Sequence, residues 1–262
     1  MSLTVKQIEQ VAVELVEAAR THTPIVPLSE RFSDVSYEDA YAIQLKTYDI
    51  KTKSGVVIVG KKIGFTSRAM QLQFNMTEPD YGMIDDTMVT REGQPIPMSR
   101  LILPKIEPEI AFLLKDDLAG PGVNAAKVLD ATAGVLPALE VYDSRYRTWT
   151  ANIKDSISDD ASAGVFILGG RLTPVQDLDL RLVGMVFERN GGVVSTGAGA
   201  AVLGNPAESV AWLANKLAAY GISLKKGEFV MSGSLVPAQE VKAGSFFRAT
   251  FDHIGTVSAL FE

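Results

Sequence analysis

Residues 104–114 read PKIEPEIAFLL, and this strand-like stretch decides how the fold is organised around its acidic side chains. Side chains two residues apart on a β-strand point to the same face. Glu107 and Glu109 therefore project together, followed on that face by Ala111 and Leu113. Two neighbouring carboxylates repel each other, and each is costly to bury as an anion without a partner. Either the face is solvated or something positive compensates the charge.

A third acid lies in a second strand-like run. Residues 135–142 read VLPALEVY, and Glu140 is the only charged residue among them. A hard divalent cation would offset the charge of Glu107, Glu109 and Glu140 together. Magnesium or manganese takes oxygen ligands and keeps waters that a substrate can displace. The alternative is a solvated strand face with Glu140 paired to a Lys or Arg, and spacing alone leaves both interpretations open.

A lysine in a glycine-flanked run is the second candidate. Residues 60–67 read GKKIGFTS, and glycines in a strand let another backbone approach closely. If Lys62 points into a pocket, it can bind a substrate carboxylate or donate to a developing enolate. The alternative is a solvated lysine on a strand.

Composition excludes several classes of protein. The chain has 262 residues, of which 47% are hydrophobic and 21% charged, which is typical of one large domain or a domain with a small appendage. The net charge of −6 argues against a nucleic-acid partner. There are no cysteines, so disulfides, thiolate nucleophiles and Cys-ligated metal sites are excluded. No segment resembles a signal peptide or a membrane span, so we expect a cytoplasmic protein without a membrane partner.

Familiar catalytic and cofactor motifs are absent from the sequence. Gly197 and Gly199 suggest a dinucleotide loop, but the third glycine of that motif would fall on Val202. Neither a P-loop nor a Gly-x-Ser-x-Gly elbow occurs. A Ser-His-Asp triad needs a histidine, and the chain has only His22 and His253. Of these, His253 is typical of a structural histidine. We therefore expect no organic cofactor.

The first 55 residues are predicted to form a small helical N-terminal region. Residues 4–20 carry an apolar stripe at helical spacing, and Thr4 with Gln7 fits a capping box. A second helix is expected to begin at Ser36, with Asp39 three residues on, and to end near residues 54–55.

Residues 56–262 are predicted to form a β-rich catalytic domain. Asn190 and Gly191 indicate a hairpin turn, and Asn205 with Pro206 indicates the start of a helix over 206–220. A short helix is expected over 124–133. The predicted strand-like segments are residues 56–65, 101–114, 134–142, 164–169 and 182–194, with several short strands in 227–261. The expected fold class is α+β, with a mixed β core behind the N-terminal helices.

Several ordered motifs together resemble a known family. They are residues 62–67 (KIGFTS), Gln71, and residues 79–82 (PDYG), 107–112 (EPEIAF), 136–141 (LPALEV), 159–162 (DDAS), 203–206 (LGNP) and 211–215 (AWLAN). In this order they are similar to the hydratase/decarboxylase family of the catechol meta-cleavage pathway, within the fumarylacetoacetate hydrolase superfamily. The match runs from about residue 56 to the C-terminus.

The resemblance implies a fold and a set of site residues. The fold would have a mixed β-roll or sandwich core of fumarylacetoacetate hydrolase type. Magnesium, with manganese as the alternative, would be held by an E-x-E…E ligand set. The implied residues are Glu107, Glu109 and Glu140 for the metal, Lys62 and Asp80 for catalysis, and Ser162, Ser234 and Gln71 for substrate binding.

Within the family, the sequence favours one activity. Residues 231–239 (MSGSLVPAQ) resemble the decarboxylase version of a loop, and residues 159–160 are Asp-Asp where hydratases favour Asp-Asn. We therefore expect metal-dependent decarboxylation of 4-oxalocrotonate (2-oxo-3-hexenedioate) to 2-hydroxypenta-2,4-dienoate. The alternatives are a hydratase acting on that dienoate, an acylpyruvate-type hydrolase, or a non-catalytic partner protein.

The resemblance also implies partners. They are a small 2-oxo dicarboxylate substrate, further copies of the chain in a homo-oligomer, and the pathway hydratase in a complex.

Overall fold

A computed structural model describes residues 3–73, 76–149 and 152–262. Its helices are α1 (Val5–Thr21), α2 (Leu28–Arg31), α3 (Tyr37–Lys53), α4 (Arg68–Gln73), α5 (Ala125–Asp130), α6 (Ile153–Ser158) and α7 (Pro206–Ala218). Its strands are β1 (Ile58–Gly64), β2 (Asp80–Asp85), β3 (Val89–Arg91), β4 (Lys105–Leu114), β5 (Thr132–Tyr142), β6 (Val165–Leu168), β7 (Gly184–Arg189), β8 (Gly192–Ala198), β9 (Phe229–Ser234), β10 (Gln239–Glu240), β11 (Phe246–Phe251) and β12 (Gly255–Leu260).

The strands form two sheets. The larger has the order β2-β1-β9-β4-β5-β6-β3, with β10 paired to β4, and the smaller has the order β12-β11-β7-β8. The larger sheet is mixed, because β1 pairs with β9 and β3 with β6 in parallel while the other pairs are antiparallel. The predicted α+β class with a mixed β core is confirmed.

The two faces of the larger sheet have different roles. On one face, Ile106, Ile110 and Phe112 of β4 join the main apolar core, which includes residues of the smaller sheet and of α7. On the other face, side chains from strands across the sheet, among them Ala111 and Met231, form one small cluster. Because these few side chains come from strands across the whole sheet, the sheet must curl around the cluster. Glu109 and Glu107 of β4 lie on this inner face, two and four residues before Ala111.

The N-terminal helices pack directly on the β-rich part. Helix α1 begins with the predicted capping box of Thr4 and Gln7, and α3 is capped by Ser36 as expected. Val11 of α1 packs in a cluster that includes Tyr146 from the β-rich part, while Tyr41 of α3 belongs to the main core. Both contacts cross the predicted boundary between residues 55 and 56, and the division into two domains stays a prediction.

Local signals located several elements correctly, and other elements, among them β2 and α6, were not predicted. Asn190 and Gly191 both have positive φ, 52° and 82°, as the predicted hairpin between β7 and β8 requires. Helix α7 begins at Pro206 with Asn205 as its cap. Strand β2 was not predicted because its buried residues include acids at both ends, and helix α6 has only six residues. Among the described helices, none combines the length and apolarity that a membrane crossing requires.

Candidate active site

Three carboxylates meet on the inner face of the sheet. Glu107 and Glu140 are directly opposite each other in the antiparallel pairing of β4 and β5. Residues opposite each other share a face, and so do residues two apart on one strand. Each of Glu107, Glu109 and Glu140 offers one oxygen, and these oxygens lie within 4.8 Å of one another. Glu109 and Glu140 are fully buried, so the solvated-face alternative does not hold for them.

Two of these carboxylates each keep a buried oxygen without a partner. Oε2 of Glu109 accepts a hydrogen bond from the Gly233 N–H at 2.7 Å, and Oε1 of Glu140 accepts from the Lys62 ammonium. Oε1 of Glu109 and Oε2 of Glu140 have no hydrogen-bond partner among the described residues. An unsatisfied buried anion is costly. A hard cation with oxygen ligands would remove this cost, so the donor set fits magnesium or manganese.

The proximity of the acids changes their titration. Burial raises the pKa of Glu107 to about 8, and the Glu140 carboxylate adds to this increase. Burial, followed by Glu140 and Glu107, raises the pKa of Glu109 well above its ordinary value. Without a cation the cluster therefore retains protons near neutral pH, and a metal ion would have to displace them.

Lys62 is a fixed cation beside the carboxylates. Its ammonium pairs with Glu140 and donates to the Ala161 carbonyl at 2.8 Å. Burial lowers the pKa of Lys62, but the carboxylates of Glu140, Glu107 and Asp80 outweigh that effect and raise it above its ordinary value. Lys62 is 4% exposed, so the alternative of a solvated lysine is wrong.

A left-handed turn supplies the Ala161 carbonyl. Asp160, Ala161 and Ser162 have φ values of 57°, 49° and 55°, a conformation that costs a non-glycine residue roughly 1–2 kcal/mol. The Asp160 carboxylate holds the turn by accepting from the Met83 N–H at 2.9 Å and from the Tyr48 hydroxyl. Burial raises the pKa of Asp160 to about 7. The turn directs one carbonyl at Lys62 and places Ser162 on the wall of the cavity.

The Asp80 side chain occupies space that the absence of a side chain at Gly64 leaves open. It is paired with Gly64 across β1 and β2, and a side chain at Gly64 would collide with the Asp80 carboxylate. The Ser156 hydroxyl donates to Oδ2 of Asp80 at 2.9 Å, while Oδ1 has no partner among the described residues. Burial raises the pKa of Asp80 to about 6, so this carboxyl can exchange a proton near neutral pH.

These groups line one cavity of about 480 Å³. Five of the predicted site residues line it, namely Lys62, Asp80, Glu107, Ser162 and Ser234. Aromatic and aliphatic side chains form much of the remaining wall, including Phe65, Tyr142, Trp149, Leu235 and Val236. The cavity thus joins the acidic cluster and Lys62 to an apolar chamber that could hold a small organic acid.

The family profile described as "Fumarylacetoacetate (FAA) hydrolase C-terminal" matches residues 56–261. The chain belongs to the fumarylacetoacetate hydrolase family. The 4-oxalocrotonate decarboxylase from Pseudomonas putida G7, solved with magnesium and adipate, superposes with a TM-score of 0.96 at 38% identity, covering 99% of both chains. The predicted fumarylacetoacetate hydrolase fold is therefore confirmed.

Relatives with assigned activities fall into two groups. The 2-hydroxyhexa-2,4-dienoate hydratase of Comamonas testosteroni is 42% identical over 256 residues, 97% of each chain. The 4-oxalocrotonate decarboxylase of Pseudomonas sp. strain CF600 is 40% identical over 260 residues, 99% of this chain and 98% of the relative. This member of the fumarylacetoacetate hydrolase family is therefore a lyase of the hydratase/decarboxylase branch, with an acidic triad suited to a divalent metal.

Two predicted substrate-binding residues make contacts within the protein. The Ser234 hydroxyl donates to the Val236 carbonyl at 2.7 Å, which fixes the loop beside the cavity. Gln71 is not among the residues that line the cavity. Its amide donates to the Phe65 carbonyl at 2.9 Å, so in this family member it supports the loop that carries Phe65, whose φ is 54°.

Sequence reasoning missed other residues of the site. Lys105 and Trp149 line the cavity, and Ser156 binds Asp80. Lys105 could have been found, because it lies two residues before Glu107 and shares its strand face. Trp149 and Ser156 could not, because they lie in an irregular segment and in a short helix whose positions depend on tertiary packing.

Proposed function

We propose that this protein decarboxylates 4-oxalocrotonate (2-oxo-3-hexenedioate) to 2-hydroxypenta-2,4-dienoate and CO2 in the meta-cleavage pathway of aromatic degradation. The observation that carries the proposal is the trio of glutamates beside the Lys62 cation, at a cavity of about 480 Å³. Two of the three, Glu109 and Glu140, each keep a buried oxygen without a partner among the described residues. Such a site suits a reaction in which negative charge develops on a 2-oxo acid.

Glu107, Glu109 and Glu140 would hold magnesium, with manganese as the alternative. When bound, such an ion supplies Lewis acidity toward a 2-oxo acid. In the reaction, the bond between C5 and the distal carboxylate breaks, and its electron pair moves through the conjugated system to the 2-oxo oxygen. Lys62 stabilises the resulting dienolate by its positive charge, and no organic cofactor is needed. Asp80, whose pKa is raised to about 6 by burial, can supply the proton that completes the dienol.

The wall next to Glu107 favours decarboxylation over hydration. Leu235, Val236, Pro237 and Ala238 line the cavity there, and none of them can activate a water molecule. These residues belong to the loop whose sequence resembles that of decarboxylases. The related Pseudomonas putida G7 decarboxylase was solved with adipate, a six-carbon diacid like the proposed substrate.

Hydration of 2-hydroxypenta-2,4-dienoate is the second candidate. Hydratase relatives of about the same identity support it, including the Comamonas testosteroni protein at 42%. Asp80 also supports it, because a buried carboxyl with a pKa of about 6 can move protons to and from a water-derived hydroxyl.

One experiment separates the two activities. Purified protein with magnesium is given 4-oxalocrotonate, and CO2 release and dienoate formation are followed; in parallel it is given the dienoate, and loss of the dienoate is followed. We expect CO2 release that stops with a chelator and in Glu107→Gln. Loss of the dienoate without CO2 release from the diacid would establish the hydratase instead, and full activity after chelation would contradict the metal role.

The expected homo-oligomer and the expected complex with the pathway hydratase stay predictions. Size-exclusion chromatography with light scattering, with and without the hydratase, tests both.

A further inference from the structure

We propose that Lys105, resting on Trp149, is the binding site for the second, distal carboxylate of the substrate, and that it makes the enzyme selective for diacids. The proposal rests on the proposed function for its substrate, but it concerns a different part of the cavity. It assigns a role to a cation that the reaction described above does not use.

Lys105 shares the strand face of the catalytic acids. It begins β4 two residues before Glu107, so its Cα lies about 6.5–7 Å from that of Glu107 along the strand. On the neighbouring strand, Tyr142 is opposite Lys105 just as Glu140 is opposite Glu107. A six-carbon diacid with one end at the glutamates therefore extends along the strand toward Lys105.

Aromatic rings connect the two cationic ends of the cavity. The Lys62 ammonium lies 6.0 Å from the centroid of the Tyr142 ring, and the Lys105 ammonium lies 5.0 Å from that of Trp149. The two rings meet edge to face, with centroids 5.0 Å apart. A flat, conjugated substrate fits such a wall, with a cation at either end for its charged groups.

The two lysines differ in their existing partners. Lys62 is already engaged by Glu140 and the Ala161 carbonyl. No carboxylate of the described residues lies within 4.0 Å of the Lys105 ammonium, which lies over the Trp149 ring. Lys62 and Lys105 are the only basic residues among the described residues that line the cavity. Lys105 is thus the cation free to pair with an incoming anion.

The expected effect is on binding and selectivity. A lysine that holds the distal carboxylate does so before the C–C bond breaks, so it contributes to substrate affinity more than to turnover. A hydrogen bond to a charged group is worth about 10–100-fold in affinity. A 2-oxo acid without the distal carboxylate gains nothing from Lys105 and should bind correspondingly more weakly.

The test is equilibrium binding of two matched unreactive ligands. Saturated 2-oxohexanedioate and 2-oxohexanoate have the same chain length and differ in the distal carboxylate, and neither has the C=C bond needed for decarboxylation. Calorimetry on the magnesium-loaded protein should show the diacid binding about 10–100-fold more tightly. Lys105→Met should remove this preference and leave the affinity for the monoacid unchanged, whereas Lys105→Arg should keep it.

Three results would overturn the proposed subsite. They are equal affinities for diacid and monoacid in the unmodified protein, an unchanged diacid preference in Lys105→Met, and an equal loss of affinity for both ligands in that variant. The unchanged monoacid affinity also serves as the control for folding. Failure of the proposed function is separate, because it would appear as no CO2 release by the unmodified protein, whatever the binding data show.

Discussion

Two clusters of buried charge in this molecule differ in how completely their atoms are hydrogen-bonded. In the first, the glutamates of the sheet leave Oε1 of Glu109 and Oε2 of Glu140 without partners among the described residues. In the second, Arg145 binds Asp159 through Nε at 2.5 Å and also donates to the Ala163 and Asp159 carbonyls. The Arg145 N–H donates to the other Asp159 oxygen at 3.0 Å, so both carboxylate oxygens are satisfied.

The comparison shows that burial and charge do not by themselves identify a functional site. Both clusters are buried, and burial raises the pKa of Asp159 to about 6 just as it raises that of Glu107 to about 8. What separates them is the count of unmet hydrogen-bond acceptors. The satisfied cluster stabilises the chain, whereas the unsatisfied one has room for a ligand.

The largest expected effect concerns the satisfied cluster. Arg145→Met leaves Asp159 as a buried charge without its partner, so the free energy of unfolding should fall by about 3–5 kcal/mol. Chemical denaturation measures this change. The control is Arg147→Met, because Arg147 pairs with Glu30 on the surface, where an ion pair is worth about 0–1 kcal/mol. Equal unfolding midpoints for the two variants would remove the distinction between the clusters.

A substitution in the glutamate cluster should reduce turnover without reducing the stability of the fold. Glu109→Gln keeps the shape and an acceptor for the Gly233 N–H but removes one of three carboxyl groups whose charged forms repel one another. Turnover should fall by more than roughly 100-fold, beyond the usual cost of losing an outer partner of a metal. The unfolding free energy of the metal-free protein should not decrease. A variant that unfolds more easily but keeps its turnover would show that Glu109 is structural; the surface Glu188→Gln should change neither quantity.

Magnesium should stabilise the fold, and more so at higher pH. At a free magnesium concentration 100 times the dissociation constant, binding raises the free energy of unfolding by about 2.7 kcal/mol. The melting temperature should then rise by several degrees, at roughly 2–4 °C per kcal/mol. The pKa of Glu107 is about 8 in the folded state and 4.5 in the unfolded chain, so the metal-free folded state binds more protons than the unfolded state between these values. The metal-free protein therefore becomes less stable as the pH rises from 4.5 to about 8. Melting curves at pH 6 and pH 8 should therefore show the larger magnesium effect at pH 8. An effect that is larger at pH 6 would contradict the assignment of the ligands.

The smallest expected effect concerns Asp160, which directly follows Asp159 of the satisfied cluster in the chain. Burial raises its pKa to about 7, so the folded state binds its proton more tightly and stability decreases as pH rises from about 4 to 7. Asp160→Asn keeps an acceptor for Met83 and removes this titration. At about pH 4 its free energy of unfolding should differ from that of the unmodified protein by about 1 kcal/mol or less, and it should decrease less as the pH rises. As a control, Asp252→Asn at an exposed position should keep the pH dependence of stability of the unmodified protein. The same pH dependence in Asp160→Asn would contradict this interpretation.

Much of the fold follows from local sequence, whereas the site follows only in part. Capping residues such as Thr4 and Ser36 predicted helix starts correctly, because caps act within one turn. The period of two along β4 put Glu107 and Glu109 on one face. That Glu140 is opposite Glu107 depends on the register between two strands, which local sequence does not encode and the family resemblance supplied.

Other parts of the site had no local signal. The left-handed turn at residues 160–162 contains no glycine, so nothing in its composition indicated it. The substrate-binding role of Gln71 stays a prediction, and the family motif did not indicate that its amide donates to the Phe65 carbonyl. Partners that come from distant segments become visible only in three dimensions.

The anchoring of that turn has a consequence for protein engineering. Tyr48 of α3 donates to Asp160, and Gln44 of the same helix donates to the Tyr81 carbonyl at 2.7 Å. A fragment trimmed to begin at residue 56, where the family profile starts, would lose both contacts and release the strained segment that carries the Ala161 carbonyl. Anyone who transplants or shortens this scaffold should keep α3 as part of the catalytic unit.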